Sequence, residues 1–322
     1  MSPLALASPA SLKGVLDSGS AARHLAAGLR RSVDVDELAV ADGGEGTAAV
    51  LHAALGGEWR TARVSGPFGR PVAAQWLVLA DGTAVVDSAE AVGLPLVDED
   101  ERDPLRASSH GLGELLLAIV AEQPRELLVG VGGTATVDGG AGLRAVVGSA
   151  LRETHVRVLC DVRNPLLGKR GAARVFGPQK GADPDAVEEL ERRLASDAEL
   201  EPFRDLPGAG AGGGLGAGLA SLGADLRDGA TVVLDTIGFD ERAQSADLVV
   251  TGEGTVDATT LEGKAPGAVA RRCAALGVRC VLFGGLVRDG IEARPLSGEI
   301  ANAAEDLEAL GAELGRALLE RA

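Results

Sequence analysis

Short apolar runs and segments of helical period alternate through the first sixty residues. Leu4–Ala7 reads as a strand, residues 18–31 as a helix with Ala22, Leu25, Ala26 and Leu29 on one face, Val35–Val40 as a second strand and Thr47–Leu55 as a second helix. Such a βαβα opening predicts parallel strands with ligand loops at their C-terminal ends. After Trp59 the pattern changes. Arg60–Val64 and Val72–Leu79 are extended runs, and Ala80-Asp81-Gly82-Thr83 is a hairpin signal before a strand over 84–88. Helices are predicted at 111–121, 143–151 and 183–195, with strands at 126–131 and 156–159 between them. The glycine run 207–218 is expected to be a loop leading into a helix, because Leu215, Leu219 and Leu222 follow at helical spacing. The last third returns to the opening pattern. Strands are predicted at 231–234, 246–250 and 279–283, with helices at 266–276 and 302–321. The expected fold class is therefore α/β in two domains. One parallel-sheet domain is built from both chain ends, residues 1–62 and 228–322, and an inserted mixed α/β domain occupies 63–227.

Composition narrows the function. Aromatic residues are 2% of the chain and Tyr is absent, so the cores are Leu, Val and Ala packings and single-stranded nucleic acid has little to stack on. The net charge of −16 repels nucleic acid and anionic membranes, so neither is an expected partner, and an anionic substrate needs a local basic pocket. Cys160, Cys273 and Cys280 have no metal-ligand spacing, and an odd count argues against a disulfide framework. No basic leader with an apolar run is present, so a reducing, cytoplasmic location is expected. The 46 glycines gather at the ends of predicted strands.

Those glycine turns carry the chemistry. Ala41-Asp42-Gly43-Gly44-Glu45-Gly46-Thr47 lies between an apolar run and a helix. Its glycines free the backbone for positive φ and close approach, and Thr47 can cap the helix. A strand, a glycine turn and a helix start make an anion site, but two carboxylates within it call for a divalent cation or a hydroxyl substrate. The plainer alternative is a tight turn with a capping pattern. Asp138, Asp161 and the pair Glu253/Asp257 also follow apolar runs in glycine-rich loops, and Lys13, Lys180 and Lys264 sit beside glycines near helix starts. Carboxylates for a metal, lysines for phosphate and an acid for a hydroxyl proton are the parts of phosphoryl transfer. The Walker A, protein-kinase and G-x-S-x-G patterns are missing. Of the four histidines only His110, in a Ser-Ser-His-Gly loop, suggests chemistry.

The ordered set of motifs resembles the bacterial glycerate kinase family over nearly the whole length. It comprises Ser11-Leu12-Lys13-Gly14, residues 41–47, Gly66-Pro67-Phe68-Gly69-Arg70-Pro71, Ala89-Glu90-Ala91-Val92-Gly93-Leu94, Arg102-Asp103-Pro104-Leu105, residues 132–142, 160–166 and 177–181, the glycine run from Pro207, and Thr251-Gly252-Glu253-Gly254 with Asp257, Leu261 and residues 263–266. The resemblance implies ATP- and Mg2+-dependent phosphorylation of D-glycerate, or a similar small hydroxy acid, in a cleft between a flavodoxin-like domain and an inserted restriction-enzyme-like domain. The implied catalytic set is Asp42, Asp138, Asp161 and Lys13, with Asp42 and Asp161 on the metal. Gly43, Gly44, Glu45, Gly46, Thr47, Gly133, Thr134, Lys180, Glu253, Asp257 and Lys264 are the implied substrate- and nucleotide-binding set. The partners are a hydroxy acid and a nucleotide, and the sequence leaves open whether the chain forms a homodimer. Three departures stand out: Ala10 where the family has Asp, Val137 where it has Asn, and Thr255 where it has Arg. They set a second expectation, a catalytically impaired paralogue that binds ligand or regulates.

Overall fold

The structure is a computed structural model that describes residues 2–288 and 290–321, with the side chain of Glu262 left aside. In chain order the elements are β1 (Leu4–Ala7), α1 (Ser18–Leu29), β2 (Asp34–Glu37), α2 (Thr47–Leu55), β3 (Glu58–Ser65), β4 (Pro71–Val78), β5 (Thr83–Asp87), α3 (Ala89–Val92), α4 (His110–Ala121), β6 (Glu126–Gly130), α5 (Ala141–Val147) and β7 (Val156–Cys160). There follow α6 (Ala172–Phe176), α7 (Pro184–Ser196), α8 (Ala211–Ser221), β8 (Asp225–Asp228), α9 (Gly229–Thr236), α10 (Phe239–Gln244), β9 (Leu248–Val256), α11 (Ala258–Glu262), α12 (Ala265–Leu276), β10 (Cys280–Val287), β11 (Arg294–Pro295) and α13 (Ala303–Leu319). The chain forms two compact units, Met1–Asp42 with Ala49–Leu55 and Ala230–Ala322, and Gly43–Ala48 with Gly56–Gly229. Among the described residues no helix is long and apolar enough to cross a membrane.

The first unit holds a parallel sheet of order β11-β10-β9-β1-β2. Strand β1 is buried along nearly its whole length, as an interior parallel strand must be. From β1 the chain steps to β2 on one side and later resumes at β9 on the other. That reversal makes a topological switch point, the place where open α/β sheets bind their ligands, beyond the C-terminal ends of β1 and β9. Strand β2 stops at Glu37, short of the expected Val40. The amides of Leu38 and Val40 still reach Ala7 and Pro9 carbonyls, but Pro9 has no N–H to return the pairing. Two expectations fail here. The run Thr231–Leu234 is helix α9, in which Thr236 Oγ1 donates to the Val232 carbonyl. A four-residue apolar run does not distinguish strand from buried helix, and here Ala230, Val233 and Leu234 face the interior at helical spacing. Strand β9 runs on to Val256, because β10 pairs with it through the Glu253–Val256 stretch.

The second unit holds a sheet of order β3-β4-β5-β6-β7-β8, antiparallel over β3-β4-β5 and parallel from β5 to β8. Leu112, Leu115, Leu116 and Ile119 of α4 and Leu215 and Leu219 of α8 close over Leu127, Val129 and Val158 of the sheet. The glycine run does lead into a helix. Gly212, Gly213 and Gly214 have φ of 64°, 77° and 92°, and the helix proper begins after them. Strand β8, Asp-Leu-Arg-Asp, was too polar to be foreseen and lies at the sheet edge.

Helices α1 and α13 meet backbone to backbone in the first unit. A Cβ on Gly28 would lie 2.1 Å from the Glu308 carbonyl oxygen, and one on Gly311 would lie 2.3 Å from that of Leu25. In an isolated helix Gly28→Ala should stabilise by about 1 kcal/mol through propensity. Here the methyl has to push two helices apart, so Gly28→Ala is expected to destabilise by about 2 kcal/mol. Urea denaturation decides it; an unchanged or higher midpoint would contradict the contact.

Candidate functional site

In the second unit, β5, β6 and β7 end side by side, with Asp87 in register with Gly130 and Gly130 with Leu159. The Gly43–Thr47 stretch is seated on these ends. A Cβ on Gly43 would fall 2.6 Å from the Leu159 carbonyl oxygen, one on Gly130 2.7 Å from that of Gly43, and one on Gly132 2.6 Å from the Gly44 Cα. Gly43 also has a φ of 92°, so glycine is required there twice over, while Gly46 needs it for its φ of 90° alone. Thr47 closes the turn: its buried hydroxyl donates to the Gly44 carbonyl at 2.8 Å and accepts from the Gly43 amide at 3.2 Å. Glu45 and Asp161 flank the second glycine loop, since a Cβ on Gly133 would lie 3.3 Å from Glu45 Oε2 and one on Gly132 3.6 Å from Asp161 Oδ2. The structure thus brings together Gly43, Gly44, Glu45, Gly46, Thr47, Gly133, Thr134 and Asp161.

Two further predicted residues hold this loop cluster from beneath. The Asp138 carboxylate accepts from Ser109 N (2.9 Å), Ser109 Oγ (2.7 Å), Gly140 N (3.0 Å) and Gly142 N (3.2 Å), which ties the starts of α4 and α5 together. Lys180 is 3% exposed, where the sequence pattern predicts an accessible cation. Its Nζ donates to Thr134 Oγ1 at 3.0 Å and to the Thr136 carbonyl at 2.8 Å, and Thr134 Oγ1 donates to the Gly212 carbonyl at 3.0 Å. One amine thereby joins three glycine loops. Burial pulls Lys180 down to about 7, against the opposing pull of the Asp138 and Asp161 charges.

Sequence reasoning missed Asp87. It is the last residue of β5, but no glycine follows it, so the glycine signal passed it by. Beside these loops, the Gly66–Gly69 turn with Ser65, Arg106, Ser108 and His110 lines an open groove of about 440 Å3. The Arg106 guanidinium stands 6.0 Å from the Phe68 ring centre. His110 opens α4, with Nε2 3.4 Å from Glu114 Oε1.

The first unit carries the remaining candidates at its switch point. Lys13 is exposed in the loop after β1, and a Cβ on Gly254 would come within 3.4 Å of the Lys13 amide. Glu253 lies within β9. It accepts from Thr260 Oγ1 at 2.6 Å and is paired with Lys264 Nζ at 3.2 Å. Burial raises Glu253 above the usual carboxylate range, Thr260 and Lys264 oppose that, and the Asp42 charge adds to it. Asp257 instead caps α11, accepting from Thr259 N at 2.9 Å in a capping box with Thr260; the Thr259 hydroxyl, which also donates to its carboxylate, does most to hold it below the usual range, and the backbone bond adds to that. The two acids therefore do different work.

Among the described residues no three His, Cys, Asp or Glu side chains gather as a metal cage. Mg2+ that travels with nucleotide phosphates takes only one or two carboxylates and keeps its waters, so single acids such as Asp161 and Asp42 suit that ion better than they suit a structural metal.

The chain matches the glycerate kinase family over residues 5–151 and 145–309. It is 38% identical to the glycerate 2-kinase of Escherichia coli K12, over 81% of this chain and 80% of that protein. It is 38% identical to the glycerate kinase of Bacillus subtilis 168, over 87% of this chain and 85% of that one. A crystal structure from Salmonella typhimurium LT2, assigned as a glycerate kinase 2, superposes with a TM-score of 0.81 at 32% identity, covering 100% of this chain and 99% of its own. By motif order, fold and similarity across its length, this chain belongs to the glycerate kinase family.

Proposed function

We propose that this chain transfers the γ-phosphoryl group of ATP, with Mg2+, to a hydroxyl of D-glycerate or a closely similar small hydroxy acid, in the cytoplasm. Family membership supports the reaction class. The observation that carries the site is the seating of Gly43–Thr47 on the ends of β6 and β7, which lines up backbone, Glu45 and Asp161 at one place. In this reading Lys13 and Lys264 supply the local positive charge that an anionic substrate needs on a chain of net charge −16. Asp161 takes the proton of the attacking hydroxyl as its oxygen bonds to phosphorus and the bond to ADP breaks. Asp42 and Asp161 are the residues that would hold Mg2+, whose contribution when bound is to neutralise charge on the transferring group. Asp138 and Lys180 position the loops and do not touch phosphate.

Two of the three departures from the family pattern, Val137 and Ala10, weigh unequally. Val137 is 1% exposed and packs in a cluster with Leu166, Leu190 and Leu194, so hydrophobic packing absorbs it. Ala10 is also buried, its amide bonded to the Gly252 carbonyl at the first unit's switch point. Its missing carboxylate is the observation that favours the second reading, a paralogue that binds ligand without turnover.

An ADP-release assay over small hydroxy acids with ATP and Mg2+ is expected to show turnover with D-glycerate. Asp42→Asn and Asp161→Asn are each expected to lower kcat/KM about 10²- to 10⁴-fold. Wild-type rates in both variants would remove the assignment, and nucleotide binding without turnover on any acid would leave the second reading.

Lys180 gives an independent test. Its folded pKa lies below its ordinary value of 10.5, at about 7, so between those values the unfolded chain binds the extra proton and stability rises with pH. Urea midpoints of Lys180→Met are expected to lack that alkaline rise. An identical pH slope in both proteins would mean that Lys180 is not buried as described.

A further inference from the structure

We infer that Asp87 is a positioning residue: by accepting the amide hydrogens of Gly46 and Ala48, it holds the Gly43–Thr47 stretch in the shape the substrate meets. The inference rests on the functional reading above, in which that stretch belongs to the site. Asp87 Oδ2 accepts from Gly46 N at 2.9 Å and Oδ1 from Ala48 N at 3.3 Å. These are amides at the start of α2, where a helix leaves its donors unpaired and its dipole favours negative charge. A helix start is ordinarily capped by its own neighbouring side chain. Here Thr47 turns its hydroxyl back to Gly43 and Gly44, and a residue on a different strand caps in its place. Room for the carboxylate exists because its in-register neighbour on β6 is Gly130, on which a Cβ would lie 3.2 Å from Asp87 Oδ1.

An ionised carboxylate is a costly choice for a buried cap. Asp87 is 6% exposed, and burial pushes it up to about 7 despite the two amide bonds. Among the described residues, the charges of Glu90 from α3 and Glu45 from the glycine stretch raise it further. A neutral Asn or Ser would cap without that penalty. The carboxylate gains a two-pronged grip, because both its oxygens accept, whereas the protonated acid keeps one good acceptor for two donors. Two consequences run in opposite directions. The clamp is strongest above about pH 7. The contribution of Asp87 to global stability is present at acid pH and is lost as pH rises through about 7, because the folded state holds the proton more tightly than the unfolded chain.

The test pairs kinetics with amide hydrogen exchange, corrected for intrinsic pH dependence, on the full chain. In the wild type, protection of the Gly46 and Ala48 amides is expected to fall from about pH 8 to about pH 6, while kcat falls over the same interval. Asp87→Asn is expected to lower kcat about 10²-fold, the scale of a small misplacement, to flatten the acid limb of its pH profile and to speed exchange at these two amides. Asp87→Ala is expected to speed exchange further. Wild-type kcat and pH profile in Asp87→Asn, or pH-independent protection of Gly46 and Ala48 in the wild type, overturns the inference. If the wild type turns over no hydroxy acid, the functional reading fails by itself, and the exchange arm still upholds or overturns the clamp. If Asp87→Asn fails to fold, the wild-type exchange series decides alone.

Discussion

Everything proposed for the second unit depends on backbone lying against backbone. A single methyl on Gly43, Gly130 or Gly132 would strike main-chain atoms, the Gly44 Cα among them. Such a contact has no side chain to adjust, so its geometry is set by the strands beneath it. The register of β5, β6 and β7 fixes Asp87, Gly130 and Leu159 in a row, and the glycine stretch follows. A shift of one residue in any strand would move the carboxylates to the opposite face of the sheet and dismantle the cluster.

Around that contact the protein places buried ionisable groups rather than neutral ones. Asp87 grips the stretch from one strand; Lys180 ties its own loop to Thr134 and Thr136, and Thr134 Oγ1 in turn donates to the Gly212 carbonyl in the glycine run that follows Pro207. Both groups pay desolvation, and both end near neutral. Groups so strained by burial are a common mark of functional sites, where order is placed ahead of stability. The lysine and the aspartate also differ in what they hold. Lys180 joins loop to loop, whereas Asp87 joins a strand end to a helix start.

Much of this was legible in the residues and some was not. The Leu4–Ala7 strand and the Thr47–Leu55 helix lie where the apolar periods put them, and Asp161 directly follows the end of β7. Periodicity failed at Thr231–Leu234, where a short apolar run had no length to show its period. It also failed at Gly252, which a turn rule reads as a break. That glycine lies inside β9 because a Cβ there would meet the Phe283 carbonyl oxygen of β10 at 2.2 Å. Asp87 escaped because a strand-ending acid followed by Ser and Ala has no local signature. Lys180 was noticed, but its depth was not, since a lysine between a glutamine and a glycine reads as loop surface. Depth is a property of the packed structure, and a single sequence shows only neighbours along the chain.

The order of strands in the first sheet has a consequence for how the molecule is made. Strand β1 lies between β2, about thirty residues on, and β9, which begins at Leu248. Helix α1 rests on α13, near the other end of the chain. On the ribosome the opening βαβ segment therefore emerges long before its second neighbour and its covering helix exist. The intervening residues can complete their own sheet first, while the early segment carries an unsatisfied apolar edge through more than half of synthesis. That interval, set by topology alone, is when the nascent chain is most exposed to wrong pairing and has most use for a chaperone.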